Sequence, residues 1–221
     1  IGIKNPVIEQ ILSNNINTLL DYVPNNITID NIKRCIIITG ANMGGKTSLM
    51  KTVLLTQAIS QVGCFISAEK AKISICYNIF SKIGVSDNIA EGLSTYMVEC
   101  KEINYILQCA NKYSLIILDE IGYGTNEEES LFLASSIIDY IIRCIKARLL
   151  CTTHNHKLAK LKNTASYVVN YYMKVIIKNN KILFMYNLVQ GISNKSFCIH
   201  VAVLAGFPSV IINQILKYKK K

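Results

Sequence analysis

The stretch from Gly40 to Thr47 has the residue types and spacing that bind a nucleotide phosphate. It reads G-A-N-M-G-G-K-T, a complete G-x-x-x-x-G-K-[ST] pattern. The glycines let backbone N–H groups turn towards phosphate oxygens, Lys46 would reach the β- and γ-phosphates, and the Thr47 hydroxyl would ligate Mg²⁺. A chance match is disfavoured because an apolar run precedes the loop and a helical pattern follows it. The sequence therefore predicts a nucleotide site.

Two adjacent carboxylates, Asp119 and Glu120, end the apolar run at 115–118. An acidic pair at the end of a buried strand is typical of the second nucleotide motif, in which Asp119 would hold Mg²⁺ through its water shell. Glu120 would polarise the water that attacks the γ-phosphate. The simpler alternative is that both acids cap the next helix, and the intact phosphate loop upstream favours catalysis instead.

His154 follows the next predicted strand and is the third candidate for chemistry. Because the carboxyl ends of parallel strands meet at one sheet edge, His154 would contact the γ-phosphate or the attacking water there. A structural loop histidine is the alternative. A metal cluster of Cys151, His154 and His156 is rejected, since no second ligand pair stands at zinc-like spacing.

The elements that must position these residues follow an α/β pattern. Short apolar runs predict parallel strands buried on both faces, at 35–39, 115–118 and 148–152, with two more at 73–75 and 79–83. Apolar spacing predicts helices at 47–62, 96–111 and 127–145, the last apolar on nearly every side and hence deeply covered. Residues 1–34 look irregular or β-rich, with turns near residues 5–9 and 22–26. Residues 167–186 predict a β-hairpin that turns at Asn179 and Asn180, and two short helices follow, at about 194–204 and after Pro208.

Composition limits the class of protein. The chain has 221 residues, 51% of them hydrophobic, but no apolar run approaches the roughly 18 residues that a membrane helix needs. Eight cysteines without a C-x-x-C pair indicate an intracellular, reducing compartment. The net charge of +10 suggests a polyanionic partner, although the lysine-rich end at 217–221 is equally consistent with a solvated terminus. Because the sequence begins with Ile1, we expect a piece of a longer product.

Seven short motifs, in order, resemble the ATPase domain of the MutS family of DNA mismatch repair proteins across essentially the whole chain. The family's T-G-P-N-M-G-G-K-S-T matches 39–48, and its D-E-I-G-R-G-T matches 119–125. The others are G-C-F-V-P-A at 63–68, I-G-A-S-D-D at 83–88, S-T-F-M-V-E at 94–99, A-T-H-Y-H at 152–156, and the segment before the dimerising helices at 191–202. The S-T-Y-M stretch at 94–97 and the Thr-His pair at 153–154 distinguish this family from other NTPases.

The resemblance implies a fold and a set of site residues. The fold is α/β, a P-loop NTPase (ABC-type ATPase-like) with a mainly parallel central sheet, a late β-hairpin and a C-terminal helical, helix-turn-helix-like dimerisation tail. It divides into an ATPase domain at 1–190 and a helical dimerisation segment at 191–221, packed on the same domain. ATP and Mg²⁺ would be the ligands, held by Gly40, Ala41, Met43, Gly44, Gly45, Lys46, Thr47 and Ser48, with metal contacts from Thr47 and Asp119.

Further roles come from the same resemblance. Glu120, His154 and Asn42 would be catalytic, with Asn42 on a phosphate or the attacking water. Tyr22 would stack on adenine, and Tyr186 would close over the base from the other side or serve only as a half-buried hairpin aromatic. Because the family works as dimers with composite sites, Ser94 would enter the nucleotide site of a partner subunit, in a homodimer or a heterodimer.

Departures from the family pattern leave alternatives open. Ala41 replaces a proline. Tyr123 replaces an arginine and N-E-E-E-S at 126–130 replaces the family's S-T-x-D-G, and both of these changes lie near the dimer seam. Leu93 stands where arginine or glutamine often occurs. The chain lacks an F-x-E wedge, so mismatch reading and double-stranded DNA binding would need connector, lever and clamp regions before residue 1. A MutL-like partner is possible. A nucleotide-gated dimerisation module with little hydrolysis, or a relative acting on branched or recombining DNA, are the alternatives.

Overall fold

The computed structural model describes residues 1–14, 22–41, 43–84, 95–122, 126–162, 165–178, 181–193 and 198–218. Its strands are β1 (Cys35–Thr39), β2 (Ile79–Lys82), β3 (Leu115–Asp119), β4 (Arg148–Thr153), β5 (Val168–Lys178) and β6 (Lys181–Gln190). Its helices are α1 (Pro6–Asn14), α2 (Lys46–Gln61), α3 (Thr95–Cys109), α4 (Glu127–Tyr140), α5 (His156–Lys162), α6 (Cys198–Leu204) and α7 (Ser209–Tyr218).

A single six-stranded sheet in the order β2-β3-β4-β1-β5-β6 carries the described chain. All neighbouring pairs are parallel except β5 and β6, which form the antiparallel hairpin. Every residue of β1 and β3 is buried, as expected of parallel strands covered on both faces. The mainly parallel α/β sheet and the late antiparallel strand pair are therefore as predicted, and the two strands are longer than expected; the predicted turn at Asn179 and Asn180 lies outside the described residues.

The two faces of the sheet bury separate cores, because successive strand side chains point to opposite sides. Ile36 and Ile38 face α2, where they pack with Leu49 and Met50. Residues one step out of phase face the other layer, which α3, α4 and α5 cover: Cys35, Ile37, Ile116, Leu118, Leu149 and Cys151. The three layers hold the carboxyl ends of β1, β3 and β4 along one edge.

Helix α2 begins and ends as the sequence predicts. It starts directly after the glycine loop and stops before Gly63, whose φ of 83° is the left-handed conformation that favours glycine. The N–H of Cys64 then donates to the Ile59 carbonyl at 3.2 Å and closes the last turn. The predicted stop at Gly63 is confirmed.

The prediction for the N-terminal segment is wrong at Pro6–Asn14, which form helix α1 instead of an irregular or β-rich stretch. The Asn5 side chain accepts the N–H groups of Val7 and Ile8 at 3.1 and 3.2 Å, so Asn5 caps the helix and Pro6 occupies its first position. Asparagine before proline is a turn signal and equally a helix-start signal. The tertiary structure selects the helix.

The strand predicted at 73–75 is also wrong. Among the described residues this segment has no strand partner, and side chains of α2 bond its backbone instead. Gln57 donates to the Ser74 carbonyl at 3.0 Å, and Gln61 accepts the Cys76 N–H at 2.6 Å. Two glutamines therefore satisfy backbone groups that a neighbouring strand would otherwise pair.

Helix α4 is less covered than its composition predicts. Leu131, Ala134, Ile137 and Ile138 are buried on one face, whereas Phe132 and Tyr140 are 60% and 49% exposed. The predicted helix at 127–145 is α-helical to Tyr140 and continues as a π-helical turn at Ile141–Ile145. An apolar composition alone does not show which face the sheet covers.

The two C-terminal helices exist as predicted, and α6 lies against β6 and α7. Helix α7 has no buried residue, and Val210, Ile211 and Leu216 are exposed on it. The division at residue 190 and the role of this segment in dimerisation stay predictions. None of the described helices combines the length and the apolar character needed to cross a bilayer.

Candidate functional site

The phosphate loop after β1 is shaped by glycines that lie close to other backbone and side-chain atoms. A Cβ on Gly44 would lie 3.0 Å from the Ala41 carbonyl oxygen, which accepts the Gly44 N–H at 3.1 Å. Gly45 has a φ of 93°, in the left-handed region. Met173 of β5 packs against the loop, since a Cβ added to Gly40 would lie 3.3 Å from the Cβ of Met173. The result is a tight cradle that side chains would fill.

Lys46 and Thr47 open helix α2 beside this cradle. Because Gly45 has no side chain to cap the helix, the first N–H groups of α2 remain available for an anion, as at other phosphate sites. The Lys46 side chain is 5% exposed, and its ammonium donates to the carbonyls of Gly40 and Ala41 at 2.9 and 3.1 Å. Burial lowers the pKa of Lys46, although Glu120 and Asp119 favour its charged form.

Asp119 at the end of β3 lies beside the phosphate loop, as predicted. The Thr47 hydroxyl donates to Asp119 Oδ2 at 2.9 Å, and the Thr152 hydroxyl donates to Oδ1. Strands β3 and β4 are in register here, with Asp119 opposite Thr152. Both carboxylate oxygens are therefore oriented by hydroxyl donors, one from the loop helix and one from the neighbouring strand.

Glu120 and His154 form a contact above Lys46. His154 Nε2 lies 2.5 Å from Glu120 Oε1 and 3.4 Å from Lys46 Nζ. The short contact between His154 Nε2 and the Glu120 carboxylate needs a proton between them, so we assign His154 Nε2–H as the donor to Glu120. The Lys46 ammonium can only donate, and it therefore does not serve as the acceptor of that proton. This hydrogen bond lowers the pKa of Glu120, with the charges of Lys46 and Lys82 acting in the same direction and burial opposing them.

The backbone of Glu120 is unusual for a residue other than glycine. Its φ is 54°, in the left-handed region, which costs roughly 1–2 kcal/mol for an L-residue. Its N–H donates to Thr152 Oγ1 at 3.2 Å, so the hydroxyl that binds Asp119 also supports Glu120. Strained conformations of this kind persist only where surrounding contacts fix them.

Tyr22 and Tyr186 both lie next to the loop and its helix. The Tyr22 hydroxyl is 3.4 Å from Thr52 Oγ1 on α2, and a Cβ on Gly45 would lie 3.1 Å from the Tyr186 ring. Asn25 ties the two segments together, since its side chain donates to the Tyr186 carbonyl at 2.9 Å and accepts the Leu188 N–H at 2.7 Å. The Tyr186 ring lies beside the loop and is 49% exposed, whereas the contact of Tyr22 is with α2.

The other predicted site residues have mixed outcomes. Met43 is 69% exposed with a φ of 65°, so its backbone rather than its side chain belongs to the loop, and Ser48 lies in the first turn of α2. Asn42 and Ser94 lie outside the described residues. Their predicted roles stay predictions.

Sequence reasoning did not identify Thr152, Asn25 or the buried pair of Lys82 and Glu99 as site residues. Thr152 becomes a partner of Asp119 only once β3 and β4 are known to be neighbours in register. Asn25 lies in a turn-like stretch, where asparagine is common for local reasons. Glu99 falls inside the S-T-Y-M-V-E motif, and a carboxylate at helical spacing from apolar residues was the available signal.

The residues at this edge fit a nucleotide and Mg²⁺. A hydroxyl from Thr47 and a carboxylate from Asp119 are oxygen ligands of the type that Mg²⁺ uses. The glycine cradle, the helix N-terminus and a buried lysine suit phosphate oxygens. Glu120, held by His154, supplies a carboxylate next to that position.

Comparisons with known proteins agree with this geometry. The family model "MutS domain V" matches residues 36–221. Proteins named DNA mismatch repair protein MutS are 38% identical in Halalkalibacterium halodurans, 40% in Brevibacillus brevis and 38% in Rickettsia typhi. The matches cover 95%, 96% and 98% of this chain and 24% of each relative. The chain thus spans about a quarter of the length of these curated relatives. It therefore belongs to the MutS family, in which it corresponds to domain V.

Proposed function

We propose that this chain binds ATP with Mg²⁺ and hydrolyses it as the ATPase domain of a MutS-like DNA mismatch repair protein. One observation carries the proposal: the Thr47 hydroxyl lies 2.9 Å from Asp119 Oδ2, while Glu120 and His154 meet above Lys46. Three segments that are distant in sequence thus contribute complementary groups to one sheet edge: the start of α2, the end of β3 and the end of β4. A helix-capping acid pair would need neither the lysine nor the histidine.

Each group has a defined task in this proposal. The glycine cradle and the first turn of α2 hold the phosphates, and Lys46 exchanges its carbonyl partners for β- and γ-phosphate oxygens. Mg²⁺, held by Thr47 and Asp119, supplies charge neutralisation on the phosphates when bound. Glu120 orients a water towards the γ-phosphate and accepts its proton, and His154 keeps the carboxylate ionised and oriented. Tyr22 and Tyr186 flank the base.

The assembly is also part of the proposal. Ser94 enters the site of a second subunit, identical or related, so that nucleotide holds two domains together and drives a clamp on double-stranded DNA. The exposed apolar residues of α7 support a paired C-terminal segment. A MutL-like protein is a further candidate partner. An isolated subunit is then expected to bind ATP and to hydrolyse it slowly.

The test is the steady-state ATPase rate of the full chain and of Glu120→Gln. Loss of a positioned general base costs about 10²- to 10⁴-fold in turnover, and ATP affinity is expected to be retained. Glu128→Gln is the matched control, because Glu128 is an exposed carboxylate on the first turn of α4. If wild type and Glu120→Gln both form stable nucleotide-bound dimers without turnover, the domain is a nucleotide-gated dimerisation module instead.

A further inference from the structure

A buried ion pair lies directly behind the candidate site. Lys82, the last residue of β2, is 3.0 Å from Glu99 Oε1 on α3, and the two side chains are 6% and 3% exposed. Neither residue belongs to the phosphate loop or to the acid pair that follows β3. Such a pair is costly to bury, since desolvation of two charges commonly cancels their attraction. Stability alone is therefore a weak reason for it.

Glu99 makes a second contact that reaches the site. Its Oε1 also accepts the N–H of Gly122 at 2.9 Å, and Gly122 is two residues after Glu120. Gly122 lies so close to α4 that a Cβ there would be 2.9 Å from Ser130 Cα. The Gly122 N–H is therefore enclosed, and Glu99 is its acceptor.

Three hydrogen bonds then fix the backbone from 120 to 122. Thr152 accepts the Glu120 N–H at 3.2 Å, Ser130 donates to the Ile121 carbonyl at 3.0 Å, and Glu99 accepts the Gly122 N–H. Each comes from a different element, namely β4, α4 and α3. Together they hold Glu120 in the left-handed conformation that it would otherwise leave.

Lys82 and Glu99 have unequal roles in this arrangement. Among the described residues Glu99 Oε2 has no hydrogen-bond partner, so the carboxylate is not saturated by its surroundings. Lys82 supplies the countercharge that lets an ionised acceptor exist at this depth. A pair of apolar side chains could fill the same space, but only the Glu99 carboxylate can accept the Gly122 N–H.

We propose that Glu99 is a positioning residue, which sets the direction of Glu120 by holding the Gly122 N–H, with Lys82 as its counter-ion. The proposal rests on the proposed ATPase function. Helix α3 begins at Thr95, next in sequence to Ser94, so the helix that supports Glu120 directly follows the residue expected to enter the partner's site. Displacement of α3 on dimerisation would change the support of Glu120 and hence the rate of hydrolysis.

The experiment compares two double variants of the full chain that differ by one acceptor. Lys82→Met with Glu99→Gln removes both charges and keeps an oxygen for Gly122, whereas Lys82→Met with Glu99→Leu removes the oxygen too. Single-turnover hydrolysis with the chain in saturating excess over ATP, ATP affinity and melting temperature are measured for each. The glutamine variant is expected to stay within about threefold of wild type, and the leucine variant to lose about 5- to 150-fold in rate with ATP affinity retained.

The proposal is overturned if the two double variants hydrolyse ATP at the same rate. If both rates equal that of wild type, neither the charges nor the acceptor matters; if both fall equally, the charges carry the effect. If the leucine variant does not fold, Glu99→Asp serves instead. Its shorter side chain keeps a charge near Lys82 and withdraws the oxygen from Gly122, so the hydrolysis rate should fall while ATP affinity is retained. A wild-type chain that binds ATP without turnover refutes the ATPase function itself, which is a separate outcome.

Discussion

Replacing Thr152 by valine is the most direct test of how β4 supports the candidate site. Thr152 is 1% exposed, its hydroxyl donates to Asp119, and the same oxygen accepts the Glu120 N–H. Valine has nearly the same shape as threonine and, like threonine, is a β-branched residue that favours strands, so the backbone and packing should persist. Only the two hydrogen bonds are removed.

The cost can be worked from those two bonds. A hydrogen bond to an ionised group contributes about 1.5–3 kcal/mol, and Asp119 is 7% exposed, so water replaces the lost donor poorly. The Glu120 N–H lies beside a side chain that is 35% exposed, and water can partly satisfy it. We therefore expect the free energy of unfolding to fall by about 2–4 kcal/mol. For a chain of this size this corresponds to about 4–16 °C in melting temperature.

The assay is denaturant unfolding of Thr152→Val beside two controls, with ATP turnover measured on the same samples. Thr152→Ser keeps the hydroxyl and should stay close to wild type. Thr153→Val removes a neighbouring strand hydroxyl whose contact is to the local Asn155 N–H, and it should cost clearly less. Turnover should fall in Thr152→Val because the support of both acids is weakened.

The reasoning is refuted if Thr152→Val and Thr153→Val lose the same stability within about 0.5 kcal/mol, the usual scatter of uninformative substitutions. It is equally refuted if Thr152→Val loses stability and keeps full turnover. The second result would mean that the acids hold their positions without the strand hydroxyl.

Three further predictions follow from burial, bonding and charge. Lys46→Met should leave the nucleotide-free chain at least as stable as wild type, because burial already disfavours the ammonium, whereas its ATP affinity should fall about 10- to 150-fold. Scanning calorimetry for stability and titration calorimetry for ATP affinity check this, with the exposed Lys51→Met as control. Asn25→Leu should cost about 1–3 kcal/mol of unfolding free energy and weaken ATP binding, because the Leu188 N–H loses its acceptor and the Tyr186 carbonyl loses its donor. The exposed Asn31→Leu should change neither the stability nor the ATP affinity. The pKa of Glu120 is lowered in the folded chain, so its stabilising contribution is present above its unfolded pKa of about 4.3 and is lost as pH falls through the folded pKa. In His154→Ala the free energy of unfolding should therefore fall less steeply in acid than in wild type. An unchanged slope of unfolding free energy against pH would contradict the hydrogen bond assigned between His154 and Glu120.

The parts of the fold that were predictable are those in which a local pattern determines the outcome. The run at 35–39 and the glycine loop after it admit one arrangement, because a buried strand, a phosphate loop and a helix must follow each other directly. The acid pair after β3 was predictable for the same reason. The roles given to these residues remain proposals.

Other features depend on contacts between distant segments and leave no local signal. The segment at 73–75 is as apolar as a strand, yet Gln57 and Gln61 of α2 take its backbone bonds. Asn5 and Pro6 signal a turn and a helix start equally well. Thr152, Asn25 and Glu99 gain their importance from neighbours at least 17 residues away, and a pattern read along the chain cannot rank such contacts.

The left-handed backbone of Glu120 has a consequence for how relatives of this chain can diverge. At a φ of 54°, glycine or asparagine would be less strained than glutamate, so either substitution would relieve backbone strain at the expense of the carboxylate and its contact with His154. Only selection for the side chain opposes that drift. A lineage that stops hydrolysing nucleotide should therefore acquire glycine or asparagine at this position early, before the phosphate loop decays. The residue found there would date the loss of activity in a gene tree.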